Sequence, residues 1–405
     1  MTPRILRRAA VLPLLGAALL SACVDSIPSS PSAAPGGPRM TVIPTTAFVT
    51  LDAGESQACA LTSGGAAYCW GSNSYGQLGD STATPRTTPV AVHMPPSTTF
   101  STVTAGRYHD CALTSLGQAW CWGSNADSRL GDSTTNLGLA PVAVKPLGGV
   151  AFARLHAAEH TCGLDSSGQA YCWGSNSYGQ LGNNNTAFQK TPVAVQHPSG
   201  VTFASISAGE KHTCALDTTG QAWCWGYGGD GAMGSGIVLG DSVPVAVTHP
   251  AGVTFTSLVT EYRHSCGLTS AGQAYCWGVN SNGQLGDNTL TKRGTPVAVV
   301  QPSGVTFSQL SVGWSHTCAI TSGGQAYCWG VNSRGQLGDA SNLQRKTPVA
   351  VSQPSGVSFA LISNGGYTTC ALDGVGQSWC WGRGDVHQLG NGGTSDSNVP
   401  VAVSH

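Results

Sequence analysis

Fourteen of the fifteen cysteines in this chain fall into pairs with nine residues between partners. The first members are Cys59, Cys111, Cys162, Cys214, Cys266, Cys318 and Cys370; the second are Cys69, Cys121, Cys172, Cys224, Cys276, Cys328 and Cys380. Sulfur at such spacing offers two chemistries, metal ligation or a disulfide. Zinc needs four ligands gathered in short knuckles, whereas each pair here stands alone. A histidine does lie two residues before most of the first cysteines, and residues i and i+2 of a strand share a face, so His316 and Cys318 are potential neighbours. Register favours the disulfide. A three-residue turn at Ser322-Gly323-Gly324 sets Thr321 opposite Gln325, Ile320 opposite Ala326, Ala319 opposite Tyr327 and Cys318 opposite Cys328. Facing positions of an antiparallel pair lie about 4.5–5.5 Å apart at Cα, within disulfide range. The same histidine recurs as His109, His160, His212, His264 and His316. Recurrence in five copies points to structural hydrogen bonding, because a ring of copies has one active centre at most.

The elements that hold these cysteines repeat with them. First cysteines follow one another at intervals of 51 or 52 residues, the mark of one supersecondary unit copied seven times. Each unit has four strand-like pieces: Phe203–Gly209, a piece around His212-Thr-Cys214-Ala-Leu216, a piece Gln221–Gly226, and Pro244–Val247. Gly, Ser, Asn and Pro fill the turns, as short antiparallel strands require. The proline opening the fourth piece predicts an edge strand, since it has no N–H to donate. Four antiparallel strands per unit predict an all-β, seven-bladed β-propeller with one hairpin disulfide per blade, over residues 48–405. If the fourth piece completes the neighbouring blade, the last copy seals the ring by strand exchange; if it stays at home, closure rests on packing.

Residues 1–22 read as a signal peptide, with Arg4, Arg7 and Arg8 before the apolar run Ala9–Leu20. That run is too short to span a membrane. It ends in Leu20-Ser21-Ala22-Cys23, which resembles the bacterial lipobox and makes the unpaired Cys23 the expected lipidation site. Residues 23–47 then form a Ser/Pro/Gly-rich linker. Export to a bacterial cell envelope is expected, to the outer membrane if the cell is Gram-negative, and it supplies the oxidising setting that paired cysteines need. Charged residues make up only 9% of the chain and the formal net charge is -1, so there is no electrostatic case for nucleic acid.

The unit resembles the repeat of the regulator of chromosome condensation family. The residues that carry the likeness are Gly209-Glu-Lys-His212, the Ala-Leu after it, and Trp-Gly-x-Asn-x-x-Gly-Gln-Leu-Gly, intact at 70–79, 173–182, 277–286 and 329–338. Three copies depart: Ser128-Arg129 replace Gly-Gln, Ala232-Met233 replace Gln-Leu, and Gly384 and His387 replace Asn and Gly. The resemblance implies a seven-bladed propeller. The chain is also similar to secreted bacterial propellers of the β-lactamase inhibitor type, which implies a binding role outside the cytoplasm. Nucleotide exchange by the eukaryotic family member uses a protruding insertion, and the regular spacing leaves no room for one.

Comparison among the copies separates scaffold from surface. The turn between the second and third pieces is nearly constant. Variation concentrates in the first–second turns (Glu55-Ser56-Gln57, Arg107-Tyr108, Glu159, Glu210-Lys211, Tyr262-Arg263, Trp314-Ser315, Gly366-Tyr367) and at the start of the third–fourth loops (Tyr75, Asp127, Tyr178, Tyr227, Asn282, Arg334, Asp385-Val386-His387). Alternating strand direction puts both sets on one face. Tyr, Trp and Arg are the types enriched at interaction hot spots, so Arg107, Tyr108, Glu210, Lys211, Tyr262, Arg263, Trp314 and Tyr367 are the candidate contacts for an unidentified protein or other macromolecule. The sequence carries no G-x-S-x-G, H-E-x-x-H or phosphate-loop motif. No catalytic residue, cofactor or metal is expected, the membrane is reached through the lipid alone, and the chain is expected to be a monomer. The alternative readings are a purely structural cell-surface protein and, by analogy with the family it resembles, a guanine nucleotide exchange factor-like activity.

Overall fold

The computed structural model describes residues 47–404 apart from Pro146; the expected leader, Cys23 and the linker up to residue 46 fall outside them. Among the described residues there are seven four-stranded antiparallel sheets, each built from four consecutive strands. In the first blade these are β1 (Phe48–Ala53), β2 (Gln57–Thr62), β3 (Ala67–Gly71) and β4 (Arg86–Ala91). Every later blade repeats the order. Strands equivalent to β1 surround the axis, where residues from all seven blades line one chamber. Strands equivalent to β4 form the rim and pair on one side only.

The hairpin register expected from the turn is present. Cys318 pairs with Cys328, Ala319 with Tyr327 and Ile320 with Ala326. All seven cysteine pairs form disulfides, each with a Cα separation of 4.1 Å, and every one of these cysteines is fully buried. The edge strand differs in detail from its expected bounds. It starts earlier, so that Pro244 sits inside Asp241–Ala246. A register shift explains how the proline is accommodated: Cys224 faces Val245, but Gly226 faces Asp241. The glycine of each Trp-Gly takes the strain of this bulge. Gly71 has φ 104°, and a Cβ there would lie 2.5 Å from the Ser56 carbonyl oxygen.

Packing between blades is aromatic and repeated. Trp225, fully buried, stacks on Phe203 and joins a cluster with Leu164, Cys172, Leu181 and Val195 of the preceding blade. In six blades the indole Nε1 donates to a carbonyl of that neighbour, as Trp122 does to Gln77 at 2.9 Å. The histidines form a second belt. Nε2 of His109, His160, His212, His264 and His316 meets the hydroxyl of Thr161, Thr213, Ser265, Thr317 and Thr369 in the next blade at 2.6–3.0 Å. Thr161, Thr213, Thr317 and Thr369 donate their own protons to backbone carbonyls. The imidazoles facing them therefore carry the proton on Nε2. The motif asparagine is a latch for the third–fourth loop: Asn73 Oδ1 accepts Leu78 N–H at 2.9 Å, while Nδ2 donates to Asp80 and to the Thr82 carbonyl.

The ring closes without strand exchange, because the last strand (Ser397–Ala402) pairs within its own blade. The seam between the seventh and first blades instead uses the contacts found elsewhere. Phe48 N–H donates to the Gly376 carbonyl at 3.0 Å, Trp70 Nε1 to Gln388 at 3.2 Å, and Ala53 N–H to Ser363 Oγ at 3.0 Å. A buried cluster of Phe48, Leu51, Trp70, Leu372 and Leu389 fills it.

Candidate interaction face and axial chamber

Third–fourth loops of one blade meet first–second turns of the next, so both variable sets share a face. Tyr75 packs on Tyr108 at 5.1 Å, Arg129 pairs with Glu159 at 3.0 Å, Lys211 lies 5.1 Å from the Tyr178 ring, and Arg263 lies 5.5 Å from Tyr227. Across the remaining arc Tyr262 stacks on Trp314 and Trp314 meets Tyr367 edge-on, both at 5.6 Å. All eight candidate contact residues stand on this face, and all are partly buried.

Arg107 joins the two arcs. Its Nε is 2.7 Å from Glu55, Nη1 is 3.4 Å from Glu159 and 3.6 Å from Glu210, and its guanidinium lies 4.9 Å from the Tyr108 ring and 5.4 Å from Trp314. Burial works against its charge, but Glu159 and Glu55 outweigh that and hold its pKa above the usual value. Burial also pushes Glu55 and Glu210 up, against the pull of the nearby cations. Glu210 is shared further with Lys211 and Arg263, and Arg263 also reaches Asp230 at 3.5 Å. Each partly exposed pair contributes little alone. Linked through shared carboxylates, they set Arg107 and Arg263 against the aromatic rings of this face.

Beneath the centre of this face lies the axial chamber, about 60 Å³, lined by Asp52, His156, Ser207, Glu261, Ser311 and Asn364 among others. A ring of bonds from blade to blade surrounds it. Asp52 Oδ2 accepts Ala105 N–H, Thr104 Oγ1 accepts Ala157 N–H, His156 Nδ1 accepts Ala208 N–H, Ser207 Oγ accepts Thr260 N–H, Ser311 Oγ accepts Asn364 N–H and Ser363 Oγ accepts Ala53 N–H. The fifth blade places apolar Val259 at that position and so cannot accept. The same blade carries Glu261. Burial raises its pKa to about 8, countered by the Tyr262 backbone N–H and reinforced by Asp52, Glu210 and Glu159. Burial lowers the pKa of His156, against the pull of Asp52.

One cluster has the composition of a metal site, Cys59, Cys69 and Asp110. Both sulfurs are committed to a disulfide, which leaves no thiolate to ligate a metal. Asp110 instead accepts from Gln57 Nε2 at 2.9 Å and Gly106 N–H at 3.2 Å. That pair stands where five other seams have a histidine and a hydroxyl residue. Sequence reasoning singled out the eight face residues but not Glu261, Asn364, Asp52 or His156. A signal for Glu261 was there: aligned on the first strands, the other copies have Gly54, Gly106, Ala158, Gly209, Gly313 and Gly365 at its position.

Comparison with known proteins agrees with this architecture. The model of the RCC1-like domain matches residues 92–405, and RCC1-repeat models match 48–77 and 64–113. The ultraviolet-B receptor UVR8 of Arabidopsis thaliana is 32% identical over 355 residues, covering 87% of this chain and 81% of that one. The crystal structure of human WBSCR16 superposes with a TM-score of 0.76 at 21% identity, covering 84% of this chain and 94% of that one. Prp20p from Saccharomyces cerevisiae gives 0.74 at 21% identity, with 89% and 88% covered. Seven copies of the repeat, their strand order and the family match converge on one conclusion: the chain belongs to the RCC1-like domain family.

Proposed function

We propose that this protein binds a protein partner through the face formed by its first–second turns and third–fourth loops. One observation carries the reading. Tyr108, Tyr262, Arg263, Trp314 and Tyr367 form, with Arg107, a continuous and partly exposed network across that face. Such anchors bind tightly when they are pre-positioned. Prp20p, of the same fold, binds Gsp1p and histones, so a propeller of this shape supports protein recognition. The reading includes export and anchoring by a lipid on Cys23, supported by the seven buried disulfides, which persist in oxidising compartments. A cross-linked partner is identified with the native chain. Retention is then measured with Tyr108, Tyr262, Arg263, Trp314 and Tyr367 all changed to alanine. Loss of retention with an unchanged melting curve is expected; equal retention overturns the reading.

A second reading, light reception, draws on the likeness to an ultraviolet-B receptor. Its support is Trp314, flanked by Tyr262 and Tyr367 with the Arg107 guanidinium 5.4 Å from its ring. Ultraviolet-B illumination of the purified protein tests it: tryptophan emission that is the same before and after removes it.

A further inference from the structure

The ring position held by Glu261 excludes side chains in most other blades. A Cβ on Gly54, Gly106, Gly313 or Gly365 would fall 2.0–2.8 Å from a backbone carbonyl oxygen of the next blade. Blade five is free of that pinch and sends a carboxyl to the axis. Glu261 lines both the axial chamber and its mouth, which it shares with Glu55, Arg107, Trp314 and Asn364. Ion pairing on the face engages Glu55, Glu159, Glu210 and Asp230, but among the described residues neither Asp52 nor Glu261 has a cationic partner. Asn364 supplies a second, independent observation. It is 6% exposed, its Nδ2 donates to the Ser311 carbonyl at 3.0 Å, and its Oδ1 has no partner.

An unengaged carbonyl oxygen and an uncompensated carboxyl, both at one narrow entrance, call for a ligand that is cationic and rich in donors. Size narrows it further. The mouth is about 20 Å³ and the chamber about 60 Å³, against roughly 10–15 Å³ for one water-sized group. So confined a site suits a compact ammonium head better than the larger planar guanidinium. Trp314 at the entrance adds an aromatic surface, which attracts cations. We infer that the axial chamber receives a primary ammonium group, held between the Glu261 carboxylate and Asn364 Oδ1. The ammonium belongs either to a lysine side chain of the partner, which rests on the protein-binding reading, or to a free amine, which does not.

The probe is n-butylammonium chloride, titrated calorimetrically into the purified protein. Saturable binding is expected, stronger near pH 9 than near pH 7 because Glu261 must release its proton, while Asp52, Glu159 and Glu210 favour the bound cation and Arg107 opposes it. Glu261→Gln and Glu261→Gly, the second restoring the residue of most sister blades, each lower the affinity about tenfold or more with the fold intact. Absence of butylammonium binding to the native protein overturns the inference. So does equal competition by potassium chloride, which would make the chamber a site for any small monovalent ion. Tetramethylammonium, which has no N–H to donate, should not compete. If butylammonium binds and Glu261→Gly also lowers partner retention, lysine is the source. If retention is unchanged, the source is a free amine. Failure of the chamber leaves the face reading standing, because the five-alanine variant tests that separately.

Discussion

Five buried imidazoles set how this protein responds to acid. Burial lowers all five, with His160, His264 and His316 at about 3 and His212 at about 4. Each is neutral when folded and takes a proton near the ordinary histidine value of 6.5 when unfolded. The folded state thus binds fewer protons, and stability is lost as pH falls from about 6.5 towards 3. Each histidine contributes roughly 1.4 kcal/mol per pH unit within that window. Urea midpoints should fall steeply below about pH 6, and His316→Gln should flatten the slope. Glu261 works in the opposite sense. Its folded pKa of about 8 exceeds the unfolded 4.5, so its contribution is full in acid and lost as pH rises through 8. Glu261→Gln should therefore be more stable than the native chain near pH 9 and equal to it near pH 4, read as melting temperatures. The histidines were legible in the sequence because they recur and so belong to the scaffold. Glu261 stood out against the glycines of its sister copies, but its meaning was not legible, because it depends on which strand faces the axis. Alternation along a strand does not reveal that.

The hairpin is the element most fully written in the sequence. Turn length fixed which residues face each other, and so placed Cys318 opposite Cys328. Bridging a ten-residue loop stabilises by at most about 3 kcal/mol in the chain-entropy view. Cys318→Ser with Cys328→Ser should cost no more than that in a urea titration; a loss well beyond it would mean that the bridge also secures packing with the next blade. The rim strand was less legible. Its proline marked an edge, but the bulge at Trp-Gly let the strand run on to Asp241. Bulges depend on a glycine conformation that spacing alone does not disclose. The inter-blade aromatics follow simpler rules, and Trp225→Ala should cost about 3–5 kcal/mol.

At the scale of the ring, the seam between blades seven and one is the place to look for weakness. Thr368 replaces the histidine there and Ala58 replaces the threonine, so the belt of hydrogen bonds that joins blades two to seven stops. Restoring it with Thr368→His and Ala58→Thr should add about 0.5–1.5 kcal/mol, measured by urea unfolding. Either change alone should add nothing. Seven blades were legible from seven cysteine pairs, but the mode of closure was not, since a strand at the end of a repeat has the same sequence whether it pairs at home or next door.

Because every sheet is completed by its own four strands, no sheet depends on two distant parts of the gene. A permuted gene opened between any two copies, its old ends joined by a short spacer, encodes the same seven sheets. Exchanging whole copies would therefore keep every hairpin bridge and every strand pairing, and confine the change to the turns and to the seams between copies.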